Sequence, residues 1–281
     1  MHSKAERRAM ERLRQAGASV FITRGGAVKV ECDLRGQPLT RGHLEALAAL
    51  GNLEELDLYG ARIADDLLAA LRLPTLKGLN LNCAAITERG LSRIPSLASL
   101  EFLELMETEA SDECLEAIVQ CRQLARLRID GTAISPTGVA QLCGRLPLRV
   151  LWIDGRQATG PCLASLATAG SLDELNLVGA DVTDRTMGLV PALPSLRRIG
   201  LVRTSVTDGG LVHLRAAGNL EAICLSNSER LTDTAVDHLQ GFGRLRSLWL
   251  VGTRITGAGM AQLRTWYPQA TIGPEENKGE K

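Results

Sequence analysis

The stretch LEELDLYGARIADDLLAAL starts at Leu53, and its pattern recurs in eight further segments, starting at Leu76, Leu100, Leu124, Leu148, Leu172, Leu196, Leu220 and Leu245. Successive starts lie 23, 24, 24, 24, 24, 24, 24 and 25 residues apart. So regular a period over most of a 281-residue chain restricts the fold to a stack of like supersecondary units. One such unit cannot bury its own leucines, whereas adjoining units bury them in a continuous core. A weaker unit, KVECDLRGQPLTRGHLEAL, precedes the nine, with Cys32 and Leu34 aligned to the second and third leucines of the pattern.

Within a unit, LxxLxL alternates with a period of two, which predicts a short strand with its leucines facing inward. Thr or Ser follows at a helix start: Thr40, Thr87, Ser111, Ser135, Thr159, Thr183, Thr207, Thr232 and Thr256, with Ala64 breaking the column. A hydroxyl there accepts from an otherwise unpaired N–H of the first turn, worth about 1 kcal/mol. Pro136 directly after Ser135 suits the first helical position, where its missing N–H costs nothing. GLxxL then sets two leucines on one helical face.

The combined pattern, LxxLxLxx(T/A)x(I/V)(T/S)DxGLxxL, resembles the leucine-rich repeat and covers roughly residues 29–273. Its second half, seen as VTDGGL at 206–211, is similar to the 24-residue ITDxGL type found in cysteine-containing repeats of F-box adaptors and in many bacterial repeat proteins. Where that family carries Asn or Cys after LxxLxLxx, this chain has Ala61, Thr108, Arg156 and Ser228. The resemblance implies an α/β solenoid, a curved horseshoe of about ten repeats with a parallel sheet on the concave face and helices on the convex face. Three segments are expected: a capping helix and hairpin over 1–28, the solenoid over 29–273, and a polar, disordered tail over 274–281. In the cap, Ser3 and Glu6 form a capping box and Gly25 and Gly26 make the hairpin turn.

In this register the residues flanking the motif leucines point into the concave face. They form three columns: Glu31, Glu55, Gly78, Phe102, Arg126, Val150, Glu174, Arg198, Ala222 and Ser247; Asp33, Asp57, Asn80, Glu104, Arg128, Trp152, Asn176, Gly200, Cys224 and Trp249; and Arg35, Tyr59, Asn82, Met106, Asp130, Asp154, Val178, Val202, Ser226 and Val251. Aromatic residues make up only 3% of the chain, yet Tyr59, Phe102, Trp152 and Trp249 all fall in these columns. Large apolar side chains on a solvated face mark an interaction surface; the competing reading is that they only pack on cross-strand neighbours. The expected partner-binding residues are Tyr59, Phe102, Arg126, Arg128, Asp130, Trp152, Asp154 and Trp249, with Phe102, Arg126, Arg128, Asp130, Val150, Trp152 and Asp154 in one contiguous patch.

Other chemistries find little support. Lys plus Arg and Asp plus Glu are each 32, so no basic excess points to nucleic acid. The seven cysteines include no CxxC pair, no P-loop motif occurs, and His213 and His238 recur without a third ligand, so no cofactor or metal is expected. Cys224 lies on the concave face among small uncharged neighbours that supply nothing to activate its thiol. No signal peptide or membrane-spanning run is seen, which favours a cytoplasmic setting. The expected function is a non-catalytic module that binds a protein or peptide on its concave face. The alternative is a substrate-recognition or adaptor subunit of a larger enzyme assembly, such as a ubiquitin-ligase-type complex. The sequence leaves the oligomeric state open.

Overall fold

The computed structural model describes residues 3–23, 26–32, 38–70, 72–91, 97–169, 171–179, 181–190, 193 and 195–273. The expected tail at 274–281, Gly25 of the hairpin turn, and Asp33 and Arg35 lie outside the described residues. The fold is α/β, an alternation of strands and helical segments of the leucine-rich-repeat solenoid type. It divides into two compact units, Met1–Ile134 with Arg145–Pro147, and Ser135–Gly144 with Leu148–Lys281.

The first unit opens with α1 (Lys4–Gln15), in which Ser3 Oγ accepts from Glu6 N at 3.1 Å and the Glu6 carboxylate accepts from Ser3 N at 2.6 Å. β1 (Ala18–Ile22) pairs antiparallel with β2 (Val28–Cys32), and β3 (Leu53–Asp57), β4 (Gly78–Asn80), β5 (Phe102–Glu104) and β6 (Arg126–Arg128) follow in parallel. Between them run α2 (Arg41–Ala48), α3 (Asp65–Ala69), α4 (Glu88–Leu91) and α5 (Leu115–Ile118). The second unit contains α6 (Pro136–Arg145, whose last residue is counted with the first unit), β7 (Val150–Asp154), α7 (Gly160–Ala169), β8 (Glu174–Val178), α8 (Asp184–Met187), β9 (Arg198–Val202), β10 (Ala222–Cys224), α9 (Thr234–His238), β11 (Ser247–Trp249), α10 (Gly257–Trp266) and β12 (Thr271–Gly273). β7 to β12 are parallel in chain order.

Several helical segments are a single turn, and Asp208–Ala216 is a 3₁₀ helix of nine residues.

The motif leucines form the core as expected. Leu53, Leu56 and Leu58 are at most 1% exposed, and so are Leu100, Leu103 and Leu105. The register of the weak first unit is corrected by two residues: Val30 lies opposite Leu56, Lys29 opposite Glu55 and Glu31 opposite Asp57. Val28 and Val30, fully buried, take the leucine sites, because β2 is fixed by its hairpin with β1 rather than by the repeat. Glu31 therefore joins the middle column and Lys29 heads the first. Arg156 is a second correction. It is exposed, and the buried place in its turn goes to Gln157, whose Oε1 accepts from Asp154 N at 3.0 Å. A guanidinium has no partners in that apolar slot, whereas a carboxamide satisfies a turn N–H.

The turns after β3, β4, β5, β6, β8, β9, β10 and β11 repeat one backbone feature. Gly60, Cys83, Glu107, Gly131, Gly179, Arg203, Asn227 and Gly252 all have φ between 54° and 95°. This left-handed region favours glycine and tolerates Asn, so Cys83, Glu107 and Arg203 carry local strain.

The TD of the repeat motif does more than cap. Thr207 N and Oγ1 donate to Asp184 at 2.8 and 2.7 Å, Thr232 N and Oγ1 to Asp208 at 2.7 and 2.6 Å, and Thr256 N and Oγ1 to Asp233 at 2.7 Å each. Each aspartate thus receives both donors of the next repeat's threonine, making a ladder through the second unit; in the first, the Thr87 hydroxyl donates to Asp65 Oδ1 at 2.7 Å. N-capping coexists with it: Thr87, Ser135 and Thr256 accept from Gly90 N, Gly138 N and Ala258 N at 3.0, 3.0 and 3.2 Å.

Both outer strands have a blunted edge. Alternation turns the Val20 carbonyl of β1 away from β2 and the Ile272 carbonyl of β12 away from β11. Arg14 from α1 donates to Val20 O, and Arg264 from α10 donates to Ile272 O, each at 3.3 Å. An unpaired edge invites pairing with another chain, and a cationic side chain on it discourages that.

Candidate partner-binding face

On the sheet face opposite the helical segments, strand register decides which side chains meet. In the first unit Phe102 lies opposite both Gly78 and Arg126, and Glu104 opposite both Asn80 and Arg128. The Phe102 ring covers Gly78: a β-carbon there would stand 1.7 Å from Phe102 Cζ. An aromatic ring laid across a neighbouring glycine shields backbone that would otherwise be bare, so most of Phe102 is packing and only part of it remains open. Arg126 is exposed. Arg128 is half-buried, and its Nε donates to Asp130 Oδ1 at 2.9 Å.

Tyr59 is 37% exposed in the turn after β3, where its N–H donates to Asp57 Oδ1 at 2.9 Å and its hydroxyl lies 3.5 Å from Cys83 Sγ. Lys29 sits 3.2 Å from Glu31 and 3.3 Å from Glu55, so one ammonium serves two carboxylates. Burial, and then the nearby Glu31, push the Asp57 carboxyl above its ordinary value.

In the second unit one row runs Trp152, Asn176, Gly200, Cys224, Trp249 and Gly273 across six strands. Both tryptophans are half-buried rather than fully exposed. Between them the row is low: Asn176 is 6% exposed, and its Oδ1 would stand 2.0 Å from a β-carbon at Gly200. Trp152 and Trp249 are four strands apart, about 19 Å at the usual strand spacing. The two rings thus flank a shallow floor of small and polar side chains. Glu174 borders it, held by Arg198 Nε.

The expectation that Asp130 and Asp154 present carboxylates on this face is corrected. They are 4% and 8% exposed. Asp154 Oδ1 accepts from Arg156 N at 2.9 Å and Gln157 N at 3.2 Å, and Oδ2 accepts from Arg156 Nη2 at 2.7 Å. Asp130 stands in the turn after β6 and Asp154 is the last residue of β7; the Asp130 carboxylate meets Arg128, and that of Asp154 folds back onto the N–H groups of Arg156 and Gln157. Asn82 at 3% and Ser226 at 1% exposed are buried in the same column. The two aspartates therefore hold the face from beneath. Alternation alone does not show that a carboxylate at a strand end turns back onto the N–H groups that follow it.

Cysteine chemistry is muted. Burial pushes the thiols of Cys114, Cys121 and Cys162 up to about 11, 12 and 12, and raises Cys143 as well, so these are inert core residues. Among the described residues no group of three or more His, Cys, Asp and Glu is placed to hold a metal ion, and no helix is long and apolar enough to cross a membrane.

No family model and no curated protein matches the sequence. Among solved structures the chain is similar to an internalin from Listeria monocytogenes, at 16% identity and TM-score 0.50, with 95% of this chain and 86% of that one covered. It is also similar to a structure of the Rad7 and Elc1 complex in yeast, at 15% identity and TM-score 0.54, with 85% of this chain and 74% of that one covered. At these identities the likeness establishes the fold, a leucine-rich-repeat-like solenoid.

Proposed function

We propose that this chain is a non-catalytic interaction module that docks a protein or peptide on the sheet face opposite its helices. One observation carries the reading: half of a scarce aromatic complement stands on the sheet side with surface still open, Tyr59 and Phe102 in the first unit and Trp152 and Trp249 in the second. Rigid aromatic side chains beside arginine are what binding surfaces concentrate. Arg126 and Arg128 supply the cationic part, and Asp130 and Asp154 act as positioning residues below. The Thr–Asp ladder supports the ITDxGL subtype, and the free thiols fit a reducing, cytoplasmic setting.

The test is affinity capture with wild type, Trp152→Ala, Trp249→Ala, Arg126→Ala and the helix-side control Glu116→Ala. The expected result is a partner retained by wild type and the control and lost by the face variants. Retention by every variant rejects the docking face.

The second reading, a recognition subunit of a larger assembly, draws specific support from the likeness to Rad7, whose structure was solved together with Elc1. It predicts two separable partners: one lost with the face variants, and a second, stoichiometric one that survives them.

A further inference from the structure

The residue after the first leucine of each motif stands where the sheet begins. In the second unit these residues are Arg149, Asp173, Arg197, Glu221 and Arg246, so charge alternates from strand to strand. The first four close two pairs: Arg149 Nε donates to Asp173 Oδ2 at 2.7 Å, and Arg197 Nη1 to Glu221 Oε1 at 3.2 Å. Arg246 is the fifth rung: Glu221 on its β10 side is taken by Arg197, and on its β12 side the residue preceding Thr271 is the uncharged Ala270. Arg244, two residues earlier, is exposed as well. Among the described residues neither guanidinium makes an ion pair.

These two arginines line a cavity of about 590 Å³ with Glu221, Gly243, Leu245 and Gln269. Glu221 is already engaged by Arg197, and Leu245 is 7% exposed. The cavity therefore offers two uncommitted guanidiniums and one carboxamide over a buried leucine. Guanidinium forks match carboxylates bidentately, and a cavity of this size holds a few side chains. We propose that it binds an acidic peptide segment, a partner's carboxylate supplying the ladder's missing rung at Arg246 and a second carboxylate meeting Arg244. This site lies at the beginning of the strands and is separate from the sheet-face docking proposed above.

The test is fluorescence anisotropy of a labelled glutamate-rich peptide against the full chain at low salt. A lysine-rich peptide serves as control and inorganic phosphate as competitor. Arg244→Glu/Arg246→Glu is expected to weaken binding at least about tenfold. Arg122→Glu, a like charge change on the first unit, and Trp152→Ala are expected to leave it unchanged, and Arg246→Lys to retain part of it. Circular dichroism checks that the double variant stays folded. Absence of binding by wild type, equal weakening by Arg122→Glu, or displacement by phosphate as effective as by unlabelled peptide would each overturn the proposal. The last of these outcomes would mark a free-anion site instead.

Discussion

Removing Asp208 tests whether the repeats are tied by the Thr–Asp ladder or only by their leucines. Its carboxylate receives Thr232 N at 2.7 Å and Thr232 Oγ1 at 2.6 Å. Hydrogen bonds to an ionised group contribute about 1.5–3 kcal/mol each when shielded. Asp208 is half-exposed, so water replaces part of what is lost, and about 1–2 kcal/mol remains for the pair. Asp208→Ala should therefore lower stability in urea by that amount. Asp208→Asn keeps one acceptor oxygen and should cost less. Thr232→Val removes the hydroxyl but leaves the backbone donor, so the double variant should recover about 0.5–1 kcal/mol relative to the sum of the singles. The measurement is urea unfolding followed by far-UV circular dichroism for wild type, the three single variants and the double variant. Costs below about 0.5 kcal/mol for Asp208→Ala, the size of an ordinary surface change, together with no coupling, would refute the reasoning and leave leucine packing alone to join the repeats.

Three further outcomes are expected. Glu107→Gly and Arg203→Gly place glycine at φ of 54° and 55°; relief of left-handed strain outweighs the added chain entropy, so each should raise stability by a few tenths to about 1 kcal/mol in the same assay. Asp57, whose folded-state pKa is raised first by burial, is penalised when ionised. Asp57→Asn should thus be more stable than wild type at pH 7, and the gap should close as pH falls through the folded pKa toward the unfolded value near 4, as read from pH-dependent urea midpoints. Arg14→Ala and Arg264→Ala uncover the edge carbonyls of Val20 and Ile272, and light scattering should show concentration-dependent self-association in each variant beyond that of wild type.

The solenoid was legible because leucine spacing is a property of sequence alone: once Leu53 and its eight counterparts are set in register, strand and core positions follow. Three features were not. The first strand pair takes its register from a hairpin, so the pattern match at Cys32 and Leu34 misplaced it by two residues. The third column lies at or just past the strand ends, where side chains serve the turn that follows, so Asp130 and Asp154 went under the face. The Thr–Asp ladder joins atoms about 24 residues apart, although its signal, an Asp directly after each of several cap threonines, was in plain view and read only as capping. The aromatics of the face were found by register, but how far each ring lies down depends on neighbours such as Gly78 and Gly200, which no single repeat reveals.

Site-specific photo-crosslinking distinguishes docking on the sheet side from docking on the helices, with a photoreactive residue placed in turn at Arg126 and Ser247 on the strands and at Glu116 and Thr265 on the helical segments. Partner crosslinks are expected from Arg126, Ser247 or both, and none from Glu116 or Thr265. Crosslinks confined to the helical positions would show that partners do not dock on the sheet side.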